Sequence, residues 1–240
     1  MIRKMLRNML EQKKNYVFLG EAGSGKSEVA MNFALQVREI SDRPVHFFDM
    51  DMTKPLFRSR DAVARMEKAG ILFHYEKQFA DAPTMVGGVR VRLKDPDSIV
   101  IMDVGGDYIG ARAVGGFSEI LNMETSAVIY VVNVYRPWSS DINAIDRTMG
   151  EILGVAHILP EQLLIAANPN VGENTVQEEF EEGWKKTEKL IRPYSDIAFA
   201  CAKKELAEKA EACCRVPVLP MNLYLPAGSM TGEQKGEMNG

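Results

Sequence analysis

The sequence predicts a three-layer α/β fold, with a mostly parallel central sheet flanked by helices. Short runs of β-branched and aromatic residues alternate with segments whose apolar residues recur at helical spacing, as in βαβ units. The first of these runs leads directly into a glycine-rich loop that opens a helix. The chain has 240 residues, of which 46% are hydrophobic, so it is long enough to bury one sizeable core.

The predicted strands are short apolar segments that end close to glycine, proline or acidic residues. They cover residues 16–19, 45–48, 98–102, 127–133, 163–167, 197–200 and 216–219.

The predicted helices fill the gaps between these strands. They cover residues 27–40, 58–68, 141–153, 176–191 and 204–213. In the first of them Val29, Phe33 and Val37 recur every four residues, which predicts one face packed on the sheet. Residues 79–93 contain a proline and a glycine pair, so we expect a mobile connection there.

The organisation predicted from these patterns has three parts. Residues 1–15 form an amphipathic basic helix that docks on its own domain, on a partner or on a lipid surface; the sequence leaves these alternatives open. Residues 16–227 form the main domain. Residues 228–240 are rich in glycine and polar residues, and we expect a disordered tail.

Charge and composition argue against several classes of function. A net charge of −4 gives no general attraction for nucleic acid or anionic lipid, so no nucleic-acid partner is expected. No apolar run approaches the roughly 20 residues that a membrane span requires. Three cysteines, an odd number, point to a reducing compartment and predict a cytoplasmic protein. The adjacent Cys213 and Cys214 suit a buried helix end, although a metal shared across a dimer stays open.

The glycine-rich loop after the first strand has the form of a phosphate-binding P-loop. It consists of Gly20, Glu21, Ala22, Gly23, Ser24, Gly25, Lys26 and Ser27. In such a loop the backbone N–H groups and the helix N-terminus cradle phosphate oxygens. Lys26 then reaches the β and γ phosphates, and the Ser27 hydroxyl binds Mg²⁺. The alternative is an ordinary strand-to-helix turn, which explains neither the Lys-Ser pair nor the carboxylates that follow.

Two further groups of polar residues follow predicted strands. Asp103 ends one strand and is followed three residues later by Gly106, a spacing that suits a metal-side carboxylate and a glycine on the γ phosphate. Asp49 and Asp51 end another strand, and their alternate spacing directs both side chains to one side. This geometry suits one carboxylate near the metal and one that orients attacking water. A solvated turn is the alternative for both groups.

These motifs resemble those of the SIMIBI class of P-loop proteins, which includes MinD, ParA, the nitrogenase iron protein and cobyrinate synthase-like ATPases. The resemblance spans residue 16 to about residue 220. It implies that Asp49 and Asp51 serve water activation and magnesium, with Asp51 positioning the water. It implies that Gly106 moves as part of a switch, and that Asn168, after strand 163–167, contacts the adenine base.

The chain departs from the MinD and ParA pattern at one position. Those relatives carry a lysine just after the first loop glycine, which reaches the nucleotide of a partner subunit, whereas this chain has Glu21. A carboxylate beside phosphates repels the charge that the lysine stabilises. Arg58 and Arg60 are candidate substitutes, and solvated surface arginines are the alternative.

The sequence favours ATP over GTP. Guanine-specific relatives carry Asn-Lys-x-Asp at the strand end where this chain has Asn168-Pro169-Asn170-Val171, without the lysine or the aspartate. The resulting hypothesis is a magnesium-dependent ATPase that acts as a nucleotide-dependent switch on an unidentified protein partner and forms a homodimer. A small-molecule kinase or ATP-dependent amide ligase, and an ATP-sensing adaptor without turnover, are the alternatives.

Overall fold

The computed structural model of the chain describes residues 1–51, 60–75 and 88–225. In these ranges eight strands form one sheet, and every strand pairing is parallel. The strands are β1 Asn15–Leu19, β2 Val45–Met50, β3 Leu72–His74, β4 Ile99–Val104, β5 Ser126–Val132, β6 Leu163–Ala167, β7 Ile197–Lys203 and β8 Val218–Met221.

Helices connect the strands and cover both faces of the sheet, which confirms the predicted three-layer architecture. They are α1 Ile2–Gln12, α2 Lys26–Ile40, α3 Arg60–Lys68, α4 Val89–Lys94, α5 Tyr108–Gly115, α6 Ser118–Leu121, α7 Ile142–Ala156, α8 Gln177–Ile191 and α9 Ala207–Cys213. Within the described ranges, single turns of 3-10 helix occur at Pro137–Ser139, Pro160–Gln162 and Lys204–Leu206.

The strand order β3-β2-β4-β1-β5-β6-β7-β8 places β1 between β4 and β5, in the interior of the sheet. The loop that follows β1 is therefore bordered by the carboxyl ends of both neighbouring strands. In open parallel sheets, the carboxyl ends of the strands are where ligands bind. The topology thus brings the three polar segments predicted from sequence to one edge of the sheet.

Each face of the sheet has its own apolar core. On one face α2 inserts Phe33 between the rings of Tyr16 and Phe18, with centroid distances of 5.1 Å and 5.3 Å. Phe47 and Ile101 belong to this same core. Because side chains alternate along a strand, Asp49 and Asp103, each two residues further on, point to the α2 face as well.

The first helix packs on its own domain. Ile2 and Leu6 of α1 are buried in the core beneath α2, and Arg3 forms an ion pair of 2.9 Å with Glu39 of α2. Of the alternatives that the sequence left open for this amphipathic helix, the structure therefore supports docking on the domain itself. Among the described residues, no helix has the length and apolar character to cross a membrane.

Helix α2 also holds the segment that follows β8. The Asn32 side chain donates to the carbonyl of Asn222 at 2.9 Å and accepts from its backbone N–H at 2.9 Å. One carboxylate oxygen of Glu28 accepts from the backbone N–H groups of Tyr224 and Leu225. Burial raises the pKa of Glu28 to about 7, although these two hydrogen bonds favour its charged form.

Most of the predicted elements agree with the structure, and the differences lie mainly in short or glycine-rich segments. Residues 89–93, predicted as a connection, begin α4, because the glycine pair precedes the helix rather than interrupting it. The short β3, α5 and α6 were not predicted, since each is too short or too glycine-rich to show a period. Residues 204–206 form a 3-10 turn ahead of α9. Residues 52–59, 76–87 and 226–240, which include Arg58 and the predicted tail, lie outside the described residues.

Candidate phosphate and metal site

The loop between β1 and α2 has the local geometry of a phosphate cradle. Gly20, Gly23 and Gly25 adopt positive φ angles of 144°, 79° and 86°. A side chain is excluded at Gly25 because an added Cβ would lie 2.3 Å from Nδ2 of Asn168. Helix α2 begins at Lys26, so its free backbone N–H groups and its positive dipole end lie at this loop.

Lys26 and the predicted carboxylates lie together at the end of β2 and β4. The Nζ of Lys26 is 3.8 Å from Oδ2 of Asp51, and both side chains are only 7% exposed. Asp49 and Asp103 are register partners on adjacent strands, which brings their side chains side by side on one face. Asp49 is also linked to Asp51, because its Oδ1 accepts from the Asp51 backbone N–H at 3.3 Å.

Asp103 is the most buried of these acids. It is 0% exposed, and neither carboxylate oxygen has a hydrogen-bond partner of ordinary geometry among the described residues. Burial raises the pKa of Asp103 to about 6, while the nearby Lys26 ammonium and Ser27 hydroxyl favour its charged form. A buried carboxylate without a partner is costly, which indicates that Asp103 is shaped to meet a cation or a water bound to one.

The residues present fit Mg²⁺. Asp103 is fully buried beside Lys26 and Ser27, and neither of its carboxylate oxygens has a hydrogen-bond partner among the described residues. Mg²⁺ is held in proteins through one or two carboxylates, waters and substrate phosphates rather than by a full protein cage. The part of the chain that the structure describes has no cluster of three or more His, Cys, Asp or Glu side chains that could hold a metal by themselves.

Gly106 lies directly against the phosphate loop. A Cβ added at this residue would lie 2.6 Å from the backbone nitrogen of Ala22 and 2.7 Å from the carbonyl carbon of Glu21. Such distances exclude every other amino acid without a backbone shift. The segment that begins at Asp103 therefore touches the loop through bare backbone, and Asp107 ends it by capping α5 through the Gly110 N–H at 2.8 Å.

Glu21 does not face solvent. It is 2% exposed, and both its carboxylate oxygens lie 3.2 Å from the hydroxyl of Ser139, in the turn after β5. Burial raises its pKa, whereas Ser139 and the nearby Tyr130 hydroxyl favour the charged form. The position where MinD and ParA relatives carry a lysine is thus filled by a carboxylate that is committed to the interior of the same chain.

Asn168 also contacts the phosphate loop. Its Nδ2 donates to the carbonyl of Ser24 at 2.7 Å, and its buried Oδ1 has no partner among the described residues. Asn170 is occupied locally, since its Oδ1 accepts from Gly172 N–H at 2.6 Å and from the Thr175 hydroxyl at 2.8 Å. Of the two amides in this segment, Asn168 alone is joined to the loop.

Sequence reasoning missed two residues that brace the loop. Arg136 donates from Nε to the carbonyl of Gly23 at 2.9 Å, and Ser139 holds Glu21. Both residues follow β5, which pairs with β1. Knowledge of this strand pairing would have placed them beside the loop that follows β1. The two adjacent cysteines for which a shared metal was left open are not joined to the site: Cys213 and Cys214 lie at the end of α9, with sulfurs 3.7 Å apart.

The fold and the arrangement of its loops define the class of fold: this chain has an α/β fold of the P-loop NTPase type, as its SIMIBI-like motifs predicted. Among solved structures it is similar to the cell division protein FtsY from Thermotoga maritima, with a TM-score of 0.53 and 11% sequence identity. The match covers 84% of this chain and 69% of that protein. At this identity the likeness shows the fold alone.

Other solved structures match at lower TM-scores. The signal recognition particle receptor FtsY from Elizabethkingia anophelis has a TM-score of 0.41 and 14% identity over 69% of this chain, which spans 56% of that receptor. A ParA family ATPase from Chlorobium tepidum has a TM-score of 0.38 and 14% identity, covering 82% of this chain and 87% of that protein. No protein-family model and no curated protein matches the sequence.

Proposed function

We propose that this protein binds and hydrolyses ATP with magnesium. The observation that carries the proposal is the meeting of Lys26, at the start of α2, with three buried carboxylates on the ends of β2 and β4. Asp103, one of these carboxylates, is fully buried with neither oxygen hydrogen-bonded among the described residues, and the phosphate loop lies beside it. A magnesium–triphosphate complex supplies both the missing cation and the anion that the loop accepts.

The residues divide the chemistry between them. The loop N–H groups from Gly20 to Ser27 and the Lys26 ammonium hold the β and γ phosphates, where negative charge spreads in the transition state. Ser27 and Asp103 would hold Mg²⁺, with Asp51 as the alternative ligand on the metal side. When bound, the ion would supply positive charge against the negative charge of the phosphates. Gly106 offers its N–H to the γ phosphate.

Asp51 is proposed to orient the attacking water, with Asp49 supporting it through the contact to its backbone N–H. The water oxygen forms a bond to the γ phosphorus, the bond from that phosphorus to the β–γ bridging oxygen breaks, and ADP and inorganic phosphate leave. The water gives up its proton as the phosphate forms. The ion pair between Asp51 and Lys26 supports this role, because it holds the carboxylate at the phosphate end of the loop.

Adenine specificity is assigned to Asn168. With Nδ2 donated to Ser24, the remaining polar atom is the acceptor Oδ1. Adenine presents an amino donor at its N6 edge, whereas guanine presents a carbonyl at the corresponding atom, which an acceptor repels. This argument and the absence of Asn-Lys-x-Asp support ATP.

We further propose that hydrolysis switches a surface presented to a protein partner and to a second copy of the chain. Tyr108 and Ile109, 63% and 57% exposed, directly follow the segment that contains Gly106. A movement of Gly106 on loss of the γ phosphate would shift these apolar side chains. Light scattering of the Asp51→Ala protein with magnesium–ATP is expected to give twice the 26.8 kDa chain mass. One chain mass with and without nucleotide would remove the homodimer.

The enzymatic proposal is tested by phosphate release from magnesium–ATP with no other acceptor present. Steady release that stops in Lys26→Ala supports a hydrolase. Release only when a small-molecule acceptor is added would indicate a kinase or an amide ligase instead. Tight ATP binding without any release would indicate a nucleotide-sensing adaptor.

A further inference from the structure

Two hydrogen-bonding contacts join the phosphate loop to the turn after β5. Arg136 donates to the carbonyl of Gly23, and Ser139 donates to the carboxylate of Glu21. The second contact is sealed from solvent, because Glu21 is 2% exposed and Ser139 is 1% exposed. Between these two residues of the turn stands Trp138, which is 51% exposed.

The position of Glu21 follows from strand register. Leu19 at the end of β1 pairs with Tyr130 of β5, so Glu21, two residues later, comes close to the Tyr130 hydroxyl and to the turn beyond β5. A carboxylate directed at the phosphates would repel them. Accepting from Ser139 instead satisfies the carboxylate inside the protein, and it fixes the first turn of the loop to the neighbouring strand.

We propose that Glu21 is a positioning residue, which through Ser139 fastens the phosphate loop to the Pro137–Ser139 turn and passes movement of the loop to Trp138. The hydroxyl of Ser139 lies equally close to both carboxylate oxygens, so the tie tolerates a small rotation of the side chain without breaking. The existence of this link depends only on the contact between Glu21 and Ser139. Its effect on nucleotide affinity rests on the proposed function.

The tie is tested first in the protein without nucleotide, by amide hydrogen exchange of residues 20–25 and 136–140. Glu21→Ala and Ser139→Ala are each expected to raise exchange in both segments roughly tenfold, because each opens the same contact. Glu21→Gln keeps an acceptor for Ser139 and is expected to restore protection. Ser140→Ala is the matched control, since Ser140 is exposed and its hydroxyl donates to Asp141 rather than to the phosphate loop. If Ser139→Ala exchanges like Ser140→Ala, the proposal is overturned.

The second test measures nucleotide affinity in the same variants by calorimetry. Glu21→Ala and Ser139→Ala are each expected to weaken magnesium–ATP binding roughly tenfold, and the double variant is expected to be no weaker than either. Additive losses of about a hundredfold in the double variant would show that the two residues act separately, which contradicts the tie.

Tryptophan fluorescence reports the transmitted movement. ATP is expected to change the emission of the wild-type protein, and this change is expected to disappear in Trp138→Phe and in Glu21→Ala; the other tryptophan, Trp184, is 3% exposed in the core. A change that persists in Glu21→Ala contradicts transmission through this contact. If the wild-type protein binds no nucleoside triphosphate, the proposed function fails, and hydrogen exchange alone then decides whether the tie exists.

Discussion

The buried polar side chains on the two sides of the phosphate loop differ in whether they have hydrogen-bond partners within the protein. On the side of β2 and β4, Asp103 is fully buried, and neither of its carboxylate oxygens has a hydrogen-bond partner among the described residues. On the side of β5 and β6, Glu21 is held by Ser139, and Asn168 donates to the loop backbone. The first side therefore contains a buried acid without such a partner, whereas Glu21 and Asn168 on the second side form contacts within the protein.

This difference separates residues that act on a ligand from residues that hold the loop. A buried polar group left without a partner lowers stability, so it persists where a ligand supplies the partner. A polar group that already has a hydrogen-bond partner within the protein instead holds the loop in its conformation. On this basis Asp103 fits the proposed chemistry and Glu21 fits support of the loop, while Lys26 and Asp51 are proposed for the chemistry because they lie beside Asp103. The following experiments test that division, beginning with the largest expected effect.

Replacing Lys26 by alanine is expected to weaken magnesium–ATP binding by at least about a hundredfold, because a charge-assisted contact to phosphate is lost at a buried site. Calorimetry measures this, with Lys189→Ala on the exposed face of α8 as the control. Lys26 also balances Asp51, so the variant protein should melt at a somewhat lower temperature but stay folded. Unchanged affinity would place the phosphate site elsewhere.

Asp51→Ala is expected to keep magnesium–ATP binding while losing hydrolysis by at least about a hundredfold, because a residue that orients water acts mainly in the transition state. Binding and turnover are measured separately, by calorimetry and by phosphate release. A parallel collapse of both would make Asp51 a metal-side ligand. The obvious substitute, Asp107, is already occupied as the cap of α5.

Asp103→Asn is expected to stabilise the free protein at high pH while weakening its magnesium-dependent binding. Because burial raises the pKa of Asp103 from 3.8 to about 6, the acid favours folding when protonated, and that contribution is lost as the pH rises through about 6. The variant should therefore be more stable than wild type by about 3 kcal/mol at pH 8 and nearly equal to it below pH 4. Denaturant unfolding at the two pH values measures the difference in the free energy of unfolding. Equal stability of variant and wild type at both pH values would contradict the conclusion that the Asp103 carboxylate is costly to bury in its charged form.

The smallest expected effect concerns selectivity for the adenine base over the guanine base of the nucleotide. ATP should bind at least about tenfold more tightly than GTP, a difference of about 1.4 kcal/mol. Competition between the two nucleotides measures the ratio, and Asn168→Ala should reduce it while also loosening the loop at Ser24. Equal competition by GTP in the wild-type protein would leave Asn168 with a supporting role only, like that of Glu21.

The fold and one side of the site follow from local sequence patterns. The loop from Gly20 to Ser27 and the carboxylates Asp49 and Asp103 stand directly after strands, and parallel strands carry such residues to a common edge. Their proximity could therefore be predicted. Asp51 follows the same rule, because alternation along the strand places it on the face of Asp49.

The supporting side could not be predicted in the same way. Ser139 lies 118 residues from Glu21 in the chain, and nothing in the residue types marks their contact. The pairing of β5 with β1 brings the two residues together. The order of strands in a sheet cannot be predicted reliably from a single sequence. Carboxylates are mostly exposed in proteins, so the burial of Glu21 departs from what its residue type indicates.

The backbone contact between Gly106 and the phosphate loop has a mechanical consequence. With an added Cβ only 2.6 Å from the Ala22 nitrogen, no side chain cushions the approach of the two loops. The two loops are therefore expected to move together, because a displacement of a few tenths of an ångström in one loop requires a matching displacement in the other. This coupling of the two loops depends on the absence of a side chain at residue 106, where a single added methyl group would force the loops apart.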